Sequence, residues 1–172
     1  MSDFSPATVA DLLAAQRGLV VTELEALGDG EAAWHPAPGE WCAKECVGHL
    51  IEAERRGFAG RIRTILERDG PDCVAWDQVA VARERNDCAR SVRALLDEFV
   101  GLRDASVALV RGLRPDQLGR VGIHPHVGEL TVRDLIHEWV HHDRNHTKQL
   151  LSVVQARVWP SMGNARKFAE ID

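Results

Sequence analysis

Apolar residues recur at helical spacing in four long segments of this chain. The first follows Ser5 and Pro6, a residue type that caps helices followed by one that favours the first helical turn, and it stops at Gly28. This pattern predicts a helix over residues 6–27. A second periodic segment covers residues 42–68 and ends at an Asp-Gly-Pro sequence that helices do not continue through. The first half of the chain therefore predicts two long helices.

The second half of the chain repeats this organisation. A clean apolar stripe from Val92 to Leu113 predicts the third helix, and Thr131 with Asp134 forms a variant of the capping box for a fourth helix that extends to about Arg157. Residues 71–82 are poorly periodic, and no segment shows the alternation typical of a β-hairpin. We therefore expect an all-α protein in which four amphipathic helices bury their stripes as a four-helix bundle.

Two pairs of histidines in the fourth helix have the same spacing but different surroundings. On a helical wheel of about 100° per residue, His142 and His146 flank the apolar stripe. His137 and His141 fall among the charged residues of the same helix, so we expect them to face solvent. The apolar stripe therefore selects His142 and His146 as the pair near the core.

A third histidine holds a comparable place on the second predicted helix. His49 lies at the edge of the apolar face, and the small residues Ala53, Gly57 and Gly60 on that side leave room for a ligand. Neutral imidazoles bind zinc, nickel or iron, and three of them leave a coordination position for water or substrate. From spacing alone, hydrogen-bonded histidines at the edge of the core are an equal alternative.

Composition narrows the class of protein. The 172 residues, 45% of them apolar, predict one domain over residues 1–172. A net charge of −5 gives no basic footprint for nucleic acid. The chain shows no export signal at its start and no stretch of 18 apolar residues, so we expect a cytoplasmic protein without a membrane span. Its four cysteines are then expected to be reduced thiols.

Three sequence segments resemble the DinB-like superfamily, particularly its DinB_2-type members. They are residues 39–54, residues 122–131, and the closing segment from His142 to His146 with Gln149. The resemblance covers nearly the whole chain. It implies a four-helix bundle with up-down-down-up topology that is often a homodimer.

The resemblance also implies a metal site. A divalent metal, zinc, nickel or iron, is expected to be held by His49, His142 and His146, the three histidines that the wheels select. This chain departs from the usual pattern at Cys42 and Cys46, where similar proteins commonly carry serine, valine or leucine.

The activity implied by the resemblance is less specific than the site. Similar proteins include thiol S-transferases that use bacillithiol or mycothiol, a thiol-dependent maleylpyruvate isomerase and metal-dependent hydrolases. We expect a metal-dependent thiol S-transferase that acts on a small electrophilic molecule. The alternatives are a metal-dependent hydrolase and a non-catalytic, stress-linked dimeric bundle. No catalytic residue beyond the metal ligands is predicted.

Four further side chains are candidates for roles beside the metal. Asp143 falls within the apolar stripe, where it either orients a ligand histidine or forms a buried ion pair with Arg61. Glu45 and Glu52 either contact the pocket behind the ligand His49 or face solvent, and we expect both to face solvent. Cys46, three residues before His49, is either an extra ligand or a small apolar core residue.

Two further histidines and four tryptophans are expected to have structural roles only. His124 and His126 lie in the loop before the fourth helix and are interpreted as hydrated loop residues near the site. Tryptophans bury large areas, so four of them are expected to anchor core and loops: Trp34, Trp41, Trp76 and Trp139.

Overall fold

The structure, a computed structural model, describes residues 3–170. The ends of the predicted 1–172 domain, residues 1, 2, 171 and 172, lie outside the described residues. No helix of this described part is both long and apolar enough to cross a membrane. The helices are α1 (Pro6–Ala32), α2 (Ala43–Glu52), a π-helical segment (Ala53–Gly57), α3 (Ala59–Glu67), α4 (Gln78–Arg85), α5 (Val92–Arg111) and α6 (Val132–Val158). Two strands, β1 (Val121–His124) and β2 (Gly128–Thr131), precede α6, and 3-10 turns occupy Asp87–Ala89, Pro115–Gln117 and Trp159–Glu170.

The long helices form a bundle in which α1 and α2 each pack against both α5 and α6. The helix ends give the directions. Arg157 pairs with Glu31, which brings the ends of α6 and α1 together, so these helices are parallel. The Val92 N–H donates to Asp29 Oδ1 at 2.6 Å, so α5 starts where α1 ends. Because a short loop also returns the chain from α1 into α2, the predicted all-α, up-down-down-up four-helix bundle is confirmed.

Local sequence determines where the first and last helices begin and end. Ser5 accepts a hydrogen bond from the Thr8 N–H, and Pro6 occupies the first turn of α1. Gly28 leaves the helical conformation at φ +64°, so the regular helix stops where the glycine predicts, although a last turn continues to Ala32. The predicted capping box at the start of α6 is also present, with the Thr131 and Asp134 side chains each bonding the other's backbone N–H.

The second helix departs from its prediction as one continuous helix over residues 42–68. A π-helical segment replaces the α-helix at Ala53–Gly57, and helical geometry resumes only after Phe58. The wider turn brings the Arg55 carbonyl oxygen within 2.0 Å of the position that a Cβ atom on Gly60 would occupy. A glycine at position 60 is therefore required by the close approach of the backbone to itself.

We expect Gly60→Ala to lower the free energy of unfolding by about 1–3 kcal/mol, because the methyl group would force the π-helical segment to shift. Gly101→Ala is the matched control, since Gly101 also lies in a helix but a Cβ atom added to it would meet nothing within 4 Å. Alanine there should stabilise the protein by up to about 1 kcal/mol. Urea denaturation of both variants measures the difference, and equal effects would contradict this account.

The prediction that the chain contains no hairpin is wrong. Strands β1 and β2 pair antiparallel, from Val121 opposite Thr131 to His124 opposite Gly128. Each strand has only four residues, too few for alternation to be visible in the sequence. The hairpin is anchored because Ile123 exchanges backbone hydrogen bonds with Pro71 and Cys73 at 2.9 and 2.7 Å. It covers one end of the bundle beside α3.

Between α3 and α5, the poorly periodic stretch contains a short helix that the sequence pattern does not predict. Asp77 caps α4 by accepting hydrogen bonds from the N–H groups of Val79 and Ala80. No residue of α4 is buried, so its sequence carries no apolar stripe. Asn86 ends the helix in the left-handed conformation, at φ +48°.

The interior consists of two apolar clusters with a polar layer between them. Leu13, Phe58 and Trp139 belong to one cluster, and Leu50 and Leu150 belong to the other. Buried polar side chains lie between these clusters along the helices: Gln16, Glu54, Arg103, Asp143 and Thr147. The candidate functional histidines lie beside this polar layer.

Candidate metal centre

The structure brings together the three histidines that the sequence selects. His49 extends from α2, and His142 and His146 extend from consecutive turns of α6. One nitrogen from each ring lies within 4.8 Å of the others, and the Nε2 atoms of His49 and His142 are 3.0 Å apart. Nitrogens that share a metal at ~2.0–2.1 Å lie about 3 Å from one another, so the spacing fits a common ion.

Burial keeps two of these imidazoles, those of His49 and His146, in the neutral form because it lowers their pKa values. Burial, together with the neighbouring His146 and His142, lowers the pKa of His49 to about 3. Burial also lowers the pKa of His146. Neutral imidazole is the form that binds metals, because protonation occupies the lone pair.

The other ring nitrogen has a hydrogen-bond partner in His146 and a close carboxylate neighbour in His142. His146 Nδ1 lies 3.0 Å from Gln149 Oε1, an oxygen that can only accept, so Nδ1 carries the hydrogen and Nε2 keeps its lone pair. His142 Nδ1 lies 3.6 Å from Asp143 Oδ1, and neither atom has a hydrogen-bond partner among the described residues. A small closure of this gap would orient His142 in the same way.

Asp143 is the centre of a buried charge network, but its partner is not the predicted Arg61. Arg103 on α5, which is fully buried, donates to Asp143 Oδ2 at 2.5 Å and also pairs with Glu54. Arg61 instead donates to His124 Nε2 and to the Val74 carbonyl oxygen, both at 3.3 Å. The predicted buried ion pair of Asp143 therefore exists, with a different arginine.

Arg103 is a residue that the sequence analysis missed, although its sequence position contains the information. It follows Phe99 by four residues and precedes Val110 by seven, so it lies on the apolar stripe of α5. A buried guanidinium requires carboxylate partners from other helices. Burial works to raise the pKa of Asp143, but Arg103 and His142 hold it below its usual range.

The structure also decides the alternatives for three residues around His49, and the expectations for Glu52 and Glu45 need correction. Glu52 is neither solvent-facing nor beside the histidines, because it is buried and accepts hydrogen bonds from three arginines, Arg55, Arg56 and Arg85. Glu45 accepts from the Cys42 N–H and lies 3.6 Å from His35, away from the three histidines. Cys46 is outside the group of converging donor atoms in the described chain, and burial raises its pKa to about 12. It is a core residue.

Aromatic rings surround the three histidines, which corrects the interpretation of two tryptophans. Trp41 stacks on His146 with ring centroids 6.2 Å apart, and Trp76 stacks on His49 at 5.6 Å. Of the four tryptophans expected to be anchors, only Trp139 is fully buried in the core, where it stacks on Phe58 with ring centroids 5.1 Å apart. The aromatic rings give the site an apolar wall that sequence spacing alone could not reveal, since Trp41 and Trp76 lie in loops.

A cleft of about 970 Å³ opens beside the histidines. His124 and His126 of the hairpin line it, together with Arg61 and Glu138. Burial and the nearby Arg61 lower the pKa of His124, so it accepts the guanidinium hydrogen as a neutral ring. The loop histidines therefore belong to the wall of the cleft and are not part of the converging donor group.

Fold and site together define a four-helix bundle with a three-histidine donor set at the side of an open cleft. The sequence profile of the DinB superfamily matches residues 5–150. This chain belongs to the DinB superfamily.

Two similar proteins come from Bacillus subtilis. The protein YuaE of strain 168, which is uncharacterised, is 25% identical over 144 residues, covering 76% of this chain and 88% of YuaE. The solved structure of YfiT superposes with a TM-score of 0.80 at 18% identity, covering 90% of this chain and 89% of YfiT. YfiT is described as a probable metal-dependent hydrolase with an unusual four-helix bundle topology. At this identity the likeness supports the fold.

Proposed function

We propose that this chain is a divalent-metal-dependent enzyme that acts on a small molecule bound in the cleft, with His49, His142 and His146 as the metal ligands. The observation that carries the proposal is the convergence of three imidazoles at the wall of an open cleft. Three nitrogen donors suit zinc, nickel or iron. Three protein ligands leave a coordination position for a reactant, as catalytic sites require.

The reaction that we place first is transfer of a low-molecular-weight thiol, such as bacillithiol or mycothiol, to an electrophilic small molecule. A divalent metal in this site supplies Lewis acidity, which lowers the pKa of a bound thiol or water. Asp143 and Glu52, the carboxylates closest to the histidines in sequence, are engaged by arginines and are not available as bases. A thiol is itself a weak acid and needs no strong base from the protein.

The chain's own residues would position the reactants. Gln149 fixes the ring orientation of His146, and the rings of Trp41, Trp76 and Phe58 limit access of water to the histidines. Arg61 places a guanidinium in the cleft, where it can bind an anionic group of the thiol or of the substrate.

Hydrolysis is the second candidate, and two observations favour it. The structural neighbour YfiT is described as a probable metal-dependent hydrolase. The cleft also contains the carboxylate of Glu138, which could accept a proton from water during attack on an ester or amide.

Thiol dependence of the reaction separates the two candidates. We expect the metal-loaded protein to accelerate the reaction of monochlorobimane with bacillithiol or mycothiol, and His49→Gln to reduce this rate by about a hundredfold or more, since even indirect damage to a metal site costs ~10–100-fold. His141→Gln is the matched control, because His141 is exposed on the opposite side of α6. Hydrolysis of p-nitrophenyl acetate without any thiol, together with no bimane reaction, would identify a hydrolase. Equal rates in His49→Gln and His141→Gln would reject both candidate reactions at the three-histidine site.

A further inference from the structure

A second group of metal-ligating side chains lies outside the three-histidine site. His35, Cys42, Glu45 and Cys88 each contribute one donor atom, and these four atoms lie within 4.8 Å of one another. The residues come from three separate pieces of chain: the loop after α1, the start of α2 and the 3-10 turn before α5. We propose that this cysteine cluster is a second, structural metal site for a zinc-like divalent ion.

The orientation of His35 is the first argument for a ligand. Its Nδ1 lies 2.8 Å from the Glu40 carbonyl oxygen, which can only accept, so Nδ1 carries the hydrogen. The lone pair is then on Nε2, and Nε2 lies 3.4 Å from Cys88 Sγ. Nδ1 also lies 3.6 Å from Glu45 Oε2. A histidine whose Nδ1 donates to a backbone carbonyl while Nε2 faces a thiol has the arrangement of a metal-bound imidazole.

The two thiols are the second argument. Cys42 Sγ and Cys88 Sγ lie 2.7 Å apart, although their residues are 46 positions apart in sequence. A tetrahedral ion with metal–sulfur bonds of ~2.3 Å holds its sulfurs about 3.8 Å apart, so binding requires a movement of about 1 Å. Cys88 is half-buried in a three-residue turn, which gives it the freedom to make that movement.

A disulfide between Cys42 and Cys88 is the rival explanation, and it accounts for less of the arrangement. It would use the two sulfurs but would give no role to the His35 ring or the Glu45 carboxylate. Disulfide formation also needs an oxidant, whereas a divalent metal displaces thiol protons directly.

The charge and proton balance of binding is simple. A divalent ion replaces the two S–H hydrogens, and both protons pass to the buffer. Two thiolates and the Glu45 carboxylate then face the two positive charges of the ion, and His35 completes four donors as a neutral ligand. Four protein ligands leave no position for a substrate, so this site is structural.

The position of the cysteine cluster would let a bound ion connect three segments of the chain. It joins the loop that carries His35 and Trp41 to the start of α2 and to the turn before α5. Trp41 stacks on His146 of the three-histidine site. The ion would therefore hold the ring that packs on His146 in position without contacting any reactant.

Cobalt binding to the full-length chain tests the proposal, because thiolate ligands give Co²⁺ a charge-transfer band that imidazoles do not. We expect the chelated, reduced protein to bind two Co²⁺ ions and to show this band. The band should persist in His142→Ala/His146→Ala, which removes only the other site, so the outcome does not depend on the proposed function. Cys88→Ser should lose one ion together with the band. His35→Ala keeps both thiols, so it should bind the second ion more weakly and show a weakened band at the same Co²⁺ concentration.

The matched control is Cys73→Ser, since Cys73 is a buried cysteine outside both donor groups. It should keep two ions and the full band. Calorimetry in buffers of different ionisation enthalpy should show two protons released per ion at this site. Absence of a thiolate band in the reduced wild-type protein would overturn the proposal. So would a Cys42–Cys88 disulfide in the isolated chain that, once reduced, still yields no band.

Discussion

We expect Arg103→Met to lower the free energy of unfolding by about 3–5 kcal/mol. Arg103 is fully buried and neutralises Asp143 and Glu54, whose side chains are each only 1% exposed. Methionine fills similar space but leaves two carboxylates in the core without a positive partner. Uncompensated buried charge is among the largest single-residue penalties in proteins. Urea denaturation monitored by circular dichroism measures the loss.

Arg93→Met on the same helix is the matched control for this variant. Arg93 pairs with Asp97, but their side chains are 86% and 65% exposed, so the change should cost less than about 1 kcal/mol. Equal losses of unfolding free energy in the two variants would show that the buried network stabilises the protein no more than an exposed ion pair does.

The pH dependence of Arg103→Met provides an independent check. Burial already raises the pKa of Glu54 beside Arg103, and without Arg103 it raises that of Glu54 further and that of Asp143 above the value in the unfolded chain. The folded state then binds more protons than the unfolded state, so stability falls as the pH rises through these raised values. We expect the deficit relative to wild type to be smaller at pH 5 than at pH 8. A stability deficit that grows as the pH falls would contradict the role of Arg103 as the partner of these two carboxylates.

The second large effect is expected from His142→Ala/His146→Ala, which removes two of the three proposed ligands. Metal affinity at the three-histidine site should fall by more than a hundredfold, because changes that only orient ligands already cost ~10–100-fold. At a zinc concentration of 100 times the dissociation constant, binding adds about 2.7 kcal/mol of stability, a rise in Tm of about 5–10 °C. The variant should lose this rise.

The chain contains a close control for this experiment. His137 and His141 have the same spacing on the same helix, but His137 bonds the Arg133 carbonyl oxygen and His141 is exposed. His137→Ala/His141→Ala should therefore keep the zinc-dependent rise in Tm. Building all proteins on Cys88→Ser removes the contribution of the cysteine cluster. Loss of the rise in both double variants, or in neither, would reject the proposed ligand set.

Helical periodicity was sufficient to predict the parts of the fold that bury an apolar stripe. The long helices follow such stripes, and the position of His142 and His146 at the edge of one stripe distinguishes them from His137 and His141. The three histidines could therefore be grouped from sequence, although their role as ligands stays a prediction. Periodicity has nothing to say about α4, which has no buried face.

Contacts between distant segments could not be predicted from the sequence pattern. Asp143 required a cation, but Arg61 and Arg103 were both available in sequence, and only the packing of α5 against the rest of the bundle decides between them. The π-helical segment depends on a backbone approach at Gly60 that no periodicity encodes. Trp76 reaches His49 only through an irregular loop.

The polar layer between the two apolar clusters restricts how this protein can vary. Sliding any of the long helices by one turn, about 5.4 Å, would set Arg103, Asp143 or Glu54 against leucine and phenylalanine side chains. The helices are therefore locked in a single longitudinal alignment, and insertions or deletions within them are disfavoured. The hairpin and the segment that carries Trp76 contribute no residue to the polar layer, and they form much of the cleft. Substrate preference can diverge there while the interior stays unchanged.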